Sequence, residues 1–227
     1  MSAGEAQIEI ARISRVLADM PPAHASWLSD SERARLADIR HPARRAQYLS
    51  GHWLVRVLLA RAFGGVPKQW QLLERKNQPP AVHGHGDALP VSISHSEDWI
   101  AAAVANVAIG IDLEQRPRIL DPAIEPLLLN ADETPGELDA DALLQRWVAK
   151  EAWIKRAAGN ALATRLKQLQ LRMASREDAD VCIDSHGAFH FGLAIAPGCV
   201  VKRYCELALA PGLAFAITDL EAPSPVP

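Results

Sequence analysis

Apolar and polar positions along this chain alternate, cluster and break in ways that assign most of its elements. Residues 8–17 alternate weakly and predict a first strand. "WLSDSERARLADI" (27–39) reads as a helix start, with Ser29 or Asp30 as cap, acids in the first turn and arginines later. Residues 43–63, "ARRAQYLSGHWLVRVLLARAF", place Tyr48, Leu49, Trp53, Leu54, Val57 and Leu58 at helical spacing. They predict a long, half-buried helix ending near Gly64 and Gly65. "NQPPAVHGHGDALP" (77–90) is a loop by composition. "VSISHS", "WIAAAVA" and "AIGIDLE" follow as three short strands with tight connections. Residues 117–140, rich in proline and acids, read as a loop with short helical pieces. "DALLQRWVAKEAWIKRAAG" (141–159) is a strong helix closed by Gly159. "LQLRM", "VCIDS", "AFHFGLAI", "VKRYCELAL" and "LAFAIT" make the remainder mostly β, and residues 221–227 read as a disordered tail.

One pattern occurs twice. "VSISHSEDWIAAAV" and "YCELALAPGLAFAI" both read as strand, short turn, Ala-rich strand, each preceded at a distance by a long helix. The expectation is an α+β fold of two pseudo-twofold-related halves, each a small, mostly antiparallel sheet on a long helix. Residues 1–107 form the first half and 108–220 the second. The junction then falls beside Asp112 and Glu114, which sit two apart in a strand and so leave it on one side. Two like charges side by side are unfavourable unless something positive lies between them.

Composition narrows the class. Among 227 residues, 49% are hydrophobic and 22% charged, which is ordinary for a globular protein. The first residues carry Glu5 and Glu9 and no apolar h-region, so no secretory signal is expected. The longest apolar run, Ile100 to Ile111, is too short for a bilayer. Cys182, Cys199 and Cys205 are odd in number and lack metal-ligand spacing, which fits reduced thiols and a cytoplasmic location. Residues 1–76 hold 12 Lys and Arg against 7 Asp and Glu, a net +5; residues 77–145 are at −10 and 146–227 at +2. A basic first third suits an anionic partner, while the acidic middle argues against nucleic acid.

Candidate chemistry gathers on the second long helix. In "RWVAKEAWIK", spacings of four put Trp147, Glu151 and Lys155 along one face. A third acid beside Asp112 and Glu114 would make an oxygen-rich cluster suited to Mg²⁺ and phosphate oxygens, and Lys150 and Lys155 suit an anionic substrate. An amphipathic helix with an exposed Glu–Lys pair is the plainer reading of the same residues. "SHS" (94–96) ends a strand in a hydroxyl–imidazole–hydroxyl turn able to hold phosphate. No P-loop, G-x-G-x-x-G, G-x-S-x-G or zinc spacing occurs, and "HGHG" (83–86) reads as a plain loop.

"SISHS", then "IGIDLE", then "WVAKEAWIK" resembles, in order and interval, the 4′-phosphopantetheinyl transferases of the surfactin-synthetase-activating type. Their pattern is an S-H-S turn, G-[IV]-D-[IL]-E and W-x-x-K-E-[AS]-x-x-K; "RRAQYLSGHWLVR" is similar to their N-terminal arginine-bearing helix. The resemblance spans roughly residues 28–162. It implies a monomer whose two halves bind coenzyme A and Mg²⁺, with Mn²⁺ as an alternative, in the cleft between them. The phosphopantetheine arm would pass to a serine of an acyl or peptidyl carrier protein, releasing adenosine 3′,5′-bisphosphate. By motif position, Asp112, Glu114 and Glu151 would hold the metal, and Glu151 would also be the base. Lys155 would neutralise the pyrophosphate, Ser94 and His95 would hold phosphate, and Lys150 would give electrostatic support. Arg44 or Arg45 would read a phosphate.

Two departures stand out. The family's G-K-P adenine loop is "ERKNQPP" here, where Lys76 or Pro79 would substitute, and its K-x-x-G-x-G-L is "KRAAGNAL", with Ala161 in place of the second glycine. Two other classes of function compete: a non-catalytic binder of coenzyme A or carrier protein, and a Mg²⁺-dependent phosphohydrolase.

Overall fold

The structure, a computed structural model, describes residues 4–22, 26–76, 78–85, 88–130, 138–157 and 165–220. The chain runs β1 (Glu5–Arg12), α1 (Ile13–Asp19), α2 (Asp30–Asp38), α3 (Pro42–Phe63), β2 (Leu72–Arg75), β3 (Gln78–Val82), β4 (Val91–Ser96), β5 (Trp99–Ala105) and β6 (Ile109–Gln115). It continues with α4 (Glu125–Leu128), α5 (Ala140–Arg156), β7 (Leu169–Met173), β8 (Val181–His186), β9 (Phe189–Ile195), β10 (Val200–Cys205) and β11 (Ala210–Asp219). The fold is α+β, with one sheet in the order β10-β1-β5-β4, a second in the order β6-β9-β8-β11-β7, and a small β2-β3 ribbon. Among the described residues, no helix is long and apolar enough to cross a membrane.

Side-chain alternation stacks these pieces in four layers: α3, the first sheet, the second sheet and α5. On β5, Ile100, Ala102 and Val104 meet α3, while Ala101, Ala103 and Ala105 meet the second sheet. A strand buried on both faces has no need of polar alternation, which explains "WIAAAVA". Its alanines also let the sheets approach closely. Ile109, Ile111 and Leu113 of β6 join Phe189, Phe191 and Leu193 of β9 in that inter-sheet core. Val148, Ala149 and Ala152 of α5 pack on the outer face of the second sheet, against Val181, Ile183 and Phe215.

The helices start where local chemistry dictates. Ser29 caps α2 in a capping box, its hydroxyl accepting from the Glu32 amide at 3.2 Å while Glu32 Oε2 accepts from the Ser29 amide at 2.7 Å. α3 has Pro42 in its first turn and ends at Gly64, whose φ of 85° only glycine adopts readily. Asp139 caps α5 by accepting from the Ala142 amide at 2.8 Å.

Several expectations change. The first strand starts at Glu5 and gives way to α1, because residues 13–19 turn Ile13 and Val16 into the core at helical spacing. Part of the expected 77–90 loop is β3, whose prolines are tolerated in a two-stranded ribbon. The repeated strand–turn–strand pattern does not produce two equivalent hairpins. β4 and β5 pair with each other, but β10 pairs in parallel with β1 and β11 pairs with β7 and β8. Pairing with the unpaired edge of β1 draws β10 into the first sheet, and the hairpin of the second sheet is β8–β9. The expected helix stop at Gly159, Ala161 in the following motif, and the tail at 221–227 lie outside the described residues.

Candidate active site

β4 and β6 are edge strands of different sheets and lie against each other. Period-two hydroxyls join them. Ser92, Ser94 and Ser96 accept from the backbone amides of Ile111, Leu113 and Gln115 at 3.1, 3.1 and 3.0 Å. Side-chain oxygens thus do for these two edges what carbonyls do in a ladder. Two of the same hydroxyls also hold the acids: Ser94 Oγ donates to Asp112 Oδ1 at 2.8 Å, and Ser96 Oγ donates to Glu114 Oε2 at 2.8 Å.

α5 lies over the other side of β6, and Gly110 explains how closely. A Cβ there would stand 2.0 Å from the Ala152 carbonyl oxygen and 2.3 Å from the Arg156 amide nitrogen. Gly192, opposite Asp112 on β9, admits Val148 in the same way. With the helix seated, Lys155 Nζ is 2.6 Å from Asp112 Oδ1, 3.3 Å from Ser94 Oγ and 3.5 Å from Glu151 Oε2. Arg118 pairs with Glu114. A further network ties the start of α5 to the β8–β9 hairpin. Asp141 accepts from Arg116 Nε at 2.8 Å and pairs with His190 Nε2 at 3.0 Å, and His190 Nδ1 faces Ser185 Oγ at 2.8 Å.

Asp112 and Glu151 therefore share the Lys155 ammonium, while Glu114, paired with Arg118, lies near enough for its charge to act on Glu151. Asp112 and Glu114 are 3% and 8% exposed. Burial, then the charge of Asp112, and lastly that of Glu114 push the Glu151 carboxyl up to about 7, against a counter-pull from Lys155. Burial alone would lower the Lys155 ammonium, but Asp112 and Glu151 outweigh it and raise it. His95 is held down at about 4 by burial and then by the charges of Arg44 and Lys155, so its imidazole is neutral at pH 7. Arg44 Nη1 lies 2.7 Å from His95 Nε2, which suits a bond donated to a neutral ring.

Asp112 Oδ2 is buried without a hydrogen-bond partner, an orphaned anionic oxygen in a corner of carboxylates. The donor types fit a hard divalent cation. Among the described residues no three histidine, cysteine or acidic side chains converge as a ready-made cage, and Lys155 stands beside the oxygen such a cation would share.

Two cavities of about 310 Å³ each adjoin the cluster, and Pro80 lines both. One is lined by Arg75, Pro79, Leu89, Pro90, Lys155 and Arg156, among others. The other has Arg35, Arg44, Tyr48, Glu74, Ile93 and His95 in its wall.

Of the residues picked out in sequence, Asp112, Glu114, Glu151, Lys155 and Ser94 come together. His95 and Arg44 meet at the second cavity, and Pro79 lines the first. Ser94 faces the seam, its hydroxyl engaged by Asp112, Leu113 and Lys155. Arg45 is elsewhere, donating to the carbonyls of Leu36 and Ile39 at 2.6 and 3.1 Å and so closing the end of α2. Lys150 is fully buried and donates to the carbonyls of Leu128 and Leu166 at 2.5 and 3.2 Å. One step along α5 from Glu151 turns it about 100° away from the cluster. Lys76 is exposed in the β2–β3 turn and lines neither cavity. Trp147 packs against two apolar clusters, that of α5 with the outer face of the second sheet and that around Leu128 and Leu166, neither of which includes a β6 residue. Sequence reading missed Ser92 and Ser96 as seam residues, although hydroxyls at alternate positions of a strand were the available signal. Nothing local to Asp141 or His190 could have paired them.

No family model matches the chain. The chain is similar to the 4′-phosphopantetheinyl transferase psf-1 of Bacillus pumilus, at 26% identity over 184 residues covering 78% of this chain and 74% of the relative. It is also similar to a 4′-phosphopantetheinyl transferase of Bacillus subtilis, at 28% identity over 162 residues covering 69% and 70%.

Proposed function

The chain is a homologue of the 4′-phosphopantetheinyl transferases and a transferase of that kind, and from this premise we propose that it moves the 4′-phosphopantetheine arm of coenzyme A onto a serine of an apo carrier protein. Adenosine 3′,5′-bisphosphate is the other product. The observation that carries this reading is the meeting of Asp112 and Glu114 from β6 with Glu151 and Lys155 from α5, beside two cavities with basic walls.

In this reaction the carrier serine oxygen attacks the phosphorus that bears the pantetheine arm. The new P–O bond forms as the pyrophosphate bridge breaks, and the bisphosphate leaves with the bridging oxygen. Glu151, held beside Lys155 where α5 meets β6, accepts the serine proton. Lys155, fixed between Asp112 and Glu151, places its charge where the leaving phosphate gains negative charge. Ser94 and Ser96 hold Asp112 and Glu114 in place. His95 and Arg44 offer a neutral ring and a cation to the 3′-phosphate. Asp112, Glu114 and Glu151 would hold Mg²⁺, or Mn²⁺ in its stead, which when bound supplies charge neutralisation at the pyrophosphate.

The test is direct. Purified protein, coenzyme A, Mg²⁺ and an apo carrier should give a carrier heavier by one phosphopantetheine. An unchanged mass across acyl and peptidyl carriers would refute the reading. Coenzyme A bound without transfer would favour a binding protein, and phosphate released from small esters a phosphohydrolase.

A further inference from the structure

The cavity beside His95 and Arg44 has one feature that phosphate binding does not explain. Its charged wall is basic, with Arg35 and Arg44 beside the neutral His95, except for Glu74 on β2, the one acidic residue among the described residues lining it. A carboxylate repels a phosphate group and attracts a hydrogen-bond donor. It is also held firmly. Tyr48 Oη donates to Glu74 Oε1 at 2.8 Å and His52 Nε2 lies 3.4 Å from the same oxygen, so both contacts go to Oε1 and Oε2 takes part in neither. Tyr48 and His52 are stacked, with ring centroids 4.1 Å apart. Behind them, buried Glu32 accepts from both terminal nitrogens of Arg56 at 2.8 and 2.6 Å and pairs with His52 Nδ1 at 2.7 Å. The Glu74 amide donates to Ser31 Oγ at 3.1 Å, which fixes the backbone as well. Gln78, Pro80 and Ile93 complete this part of the wall with flat and apolar surface suited to a ring.

Resting on the transfer reaction proposed above, we propose that Glu74 reads the base of coenzyme A. Its Oε2 accepts a hydrogen bond from the exocyclic N6 amine of adenine, while Arg44 and His95 take the 3′-phosphate in the same cavity. A side-chain carboxylate on β2 thus serves a chain in which "ERKNQPP" (74–80) stands where the family has G-K-P. The discrimination follows from hydrogen-bond polarity. Adenine presents a donor at position 6, whereas hypoxanthine presents an oxygen acceptor, which a carboxylate cannot pair with.

Two measurements test this. In the first, wild-type protein is titrated with adenosine 3′,5′-bisphosphate and with inosine 3′,5′-bisphosphate. The adenine nucleotide should bind on the order of 10- to 100-fold more tightly, the range for a hydrogen bond to a charged group. In the second, kcat/KM for coenzyme A and for its hypoxanthine analogue is compared in wild type, Glu74→Gln and Glu74→Ala. Gln offers either an acceptor or a donor, and Ala offers neither, so both variants should bring the ratio to within about 3-fold of unity. A role confined to holding Tyr48 and His52 would lower both rates and leave the ratio unchanged. Equal wild-type binding of the two bisphosphates overturns the assignment, as does a wild-type ratio in both variants. A wild-type preference for the adenine nucleotide that Glu74→Gln abolishes, without transfer to any carrier, supports Glu74 as the base reader and counts against the transfer reaction.

Discussion

Asp112 sits where two donors share one carboxylate oxygen: Ser94 and Lys155 take Oδ1, and Oδ2 is left bare. Asp112→Asn keeps the shape but removes the charge that balances Lys155 and the oxygen offered to a cation. Transfer should fall by about 10²–10³-fold, as for loss of one preorganised electrostatic partner, with the thermal midpoint little changed; full activity at limiting Mg²⁺ would make the acid purely structural. Glu32 supports a prediction about pH. Burial would raise its carboxyl, but hydrogen bonds from His52 and Arg56 outweigh this and lower it from 4.5 to about 2. A depressed carboxyl stabilises the fold fully above about 4.5, progressively less as pH falls, and not at all below about 2. The contribution is roughly 3 kcal/mol. Urea midpoints measured from pH 7 to pH 2 should drop across that window, and Glu32→Gln should flatten the drop.

At the scale of elements, the seat of α5 on β6 decides whether Glu151 and Lys155 reach Asp112. Gly110 is the contact point, since its missing Cβ is replaced by the backbone of residues 152 and 156. Gly110→Ala forces helix and strand apart, because backbone atoms cannot rotate out of the way. A cost of about 1–3 kcal/mol or more is expected from overpacking, and transfer activity should fall further than stability alone explains. Chemical denaturation alongside single-turnover rates checks both; an unperturbed variant would mean the helix is seated by other contacts. The motif "IGIDLE" placed this glycine and both acids in sequence, but not its reason, since the crowding atoms come from a helix about 40 residues later. Lys150 makes the converse point. Its motif position implied electrostatic support for the site, yet α5 carries it round to the carbonyls of Leu128 and Leu166.

Across the whole molecule, the two sheets meet at a seam of side-chain hydrogen bonds rather than a continuous ladder. Among the described residues, Ser92 is the member of that seam that touches no acid; it accepts from the Ile111 amide. Ser92→Ala should cost about 1–3 kcal/mol by burying an unpaired amide, seen as a lower urea midpoint with kcat unchanged. Ser94→Ala removes the same kind of acceptor and also a bond to Asp112, so it should lower both stability and kcat. Equal kinetic effects of the two variants would mean that the seam has no part in placing the acid.

Local chemistry is strong within a dozen residues, and there the sequence by itself was sufficient. Alternation set β4 and β6, a short apolar run set β5, a Ser-Asp cap started α2, helical spacing put Glu151 and Lys155 on one face, and strand spacing put Asp112 and Glu114 on one side. Pairing over long separations depends on which edges are free and how closely backbones can approach, and no local pattern encodes that. So only the tertiary structure decided that β10 returns to β1, that serines join β4 to β6, that Arg44 rather than Arg45 faces the cavity, and that Glu74 stands in its wall. The positive charge demanded beside the acids is supplied in the folded chain by Lys155 at Asp112 and by Arg118 at Glu114, and Gly110 and Gly192 let α5 come down far enough to deliver Lys155.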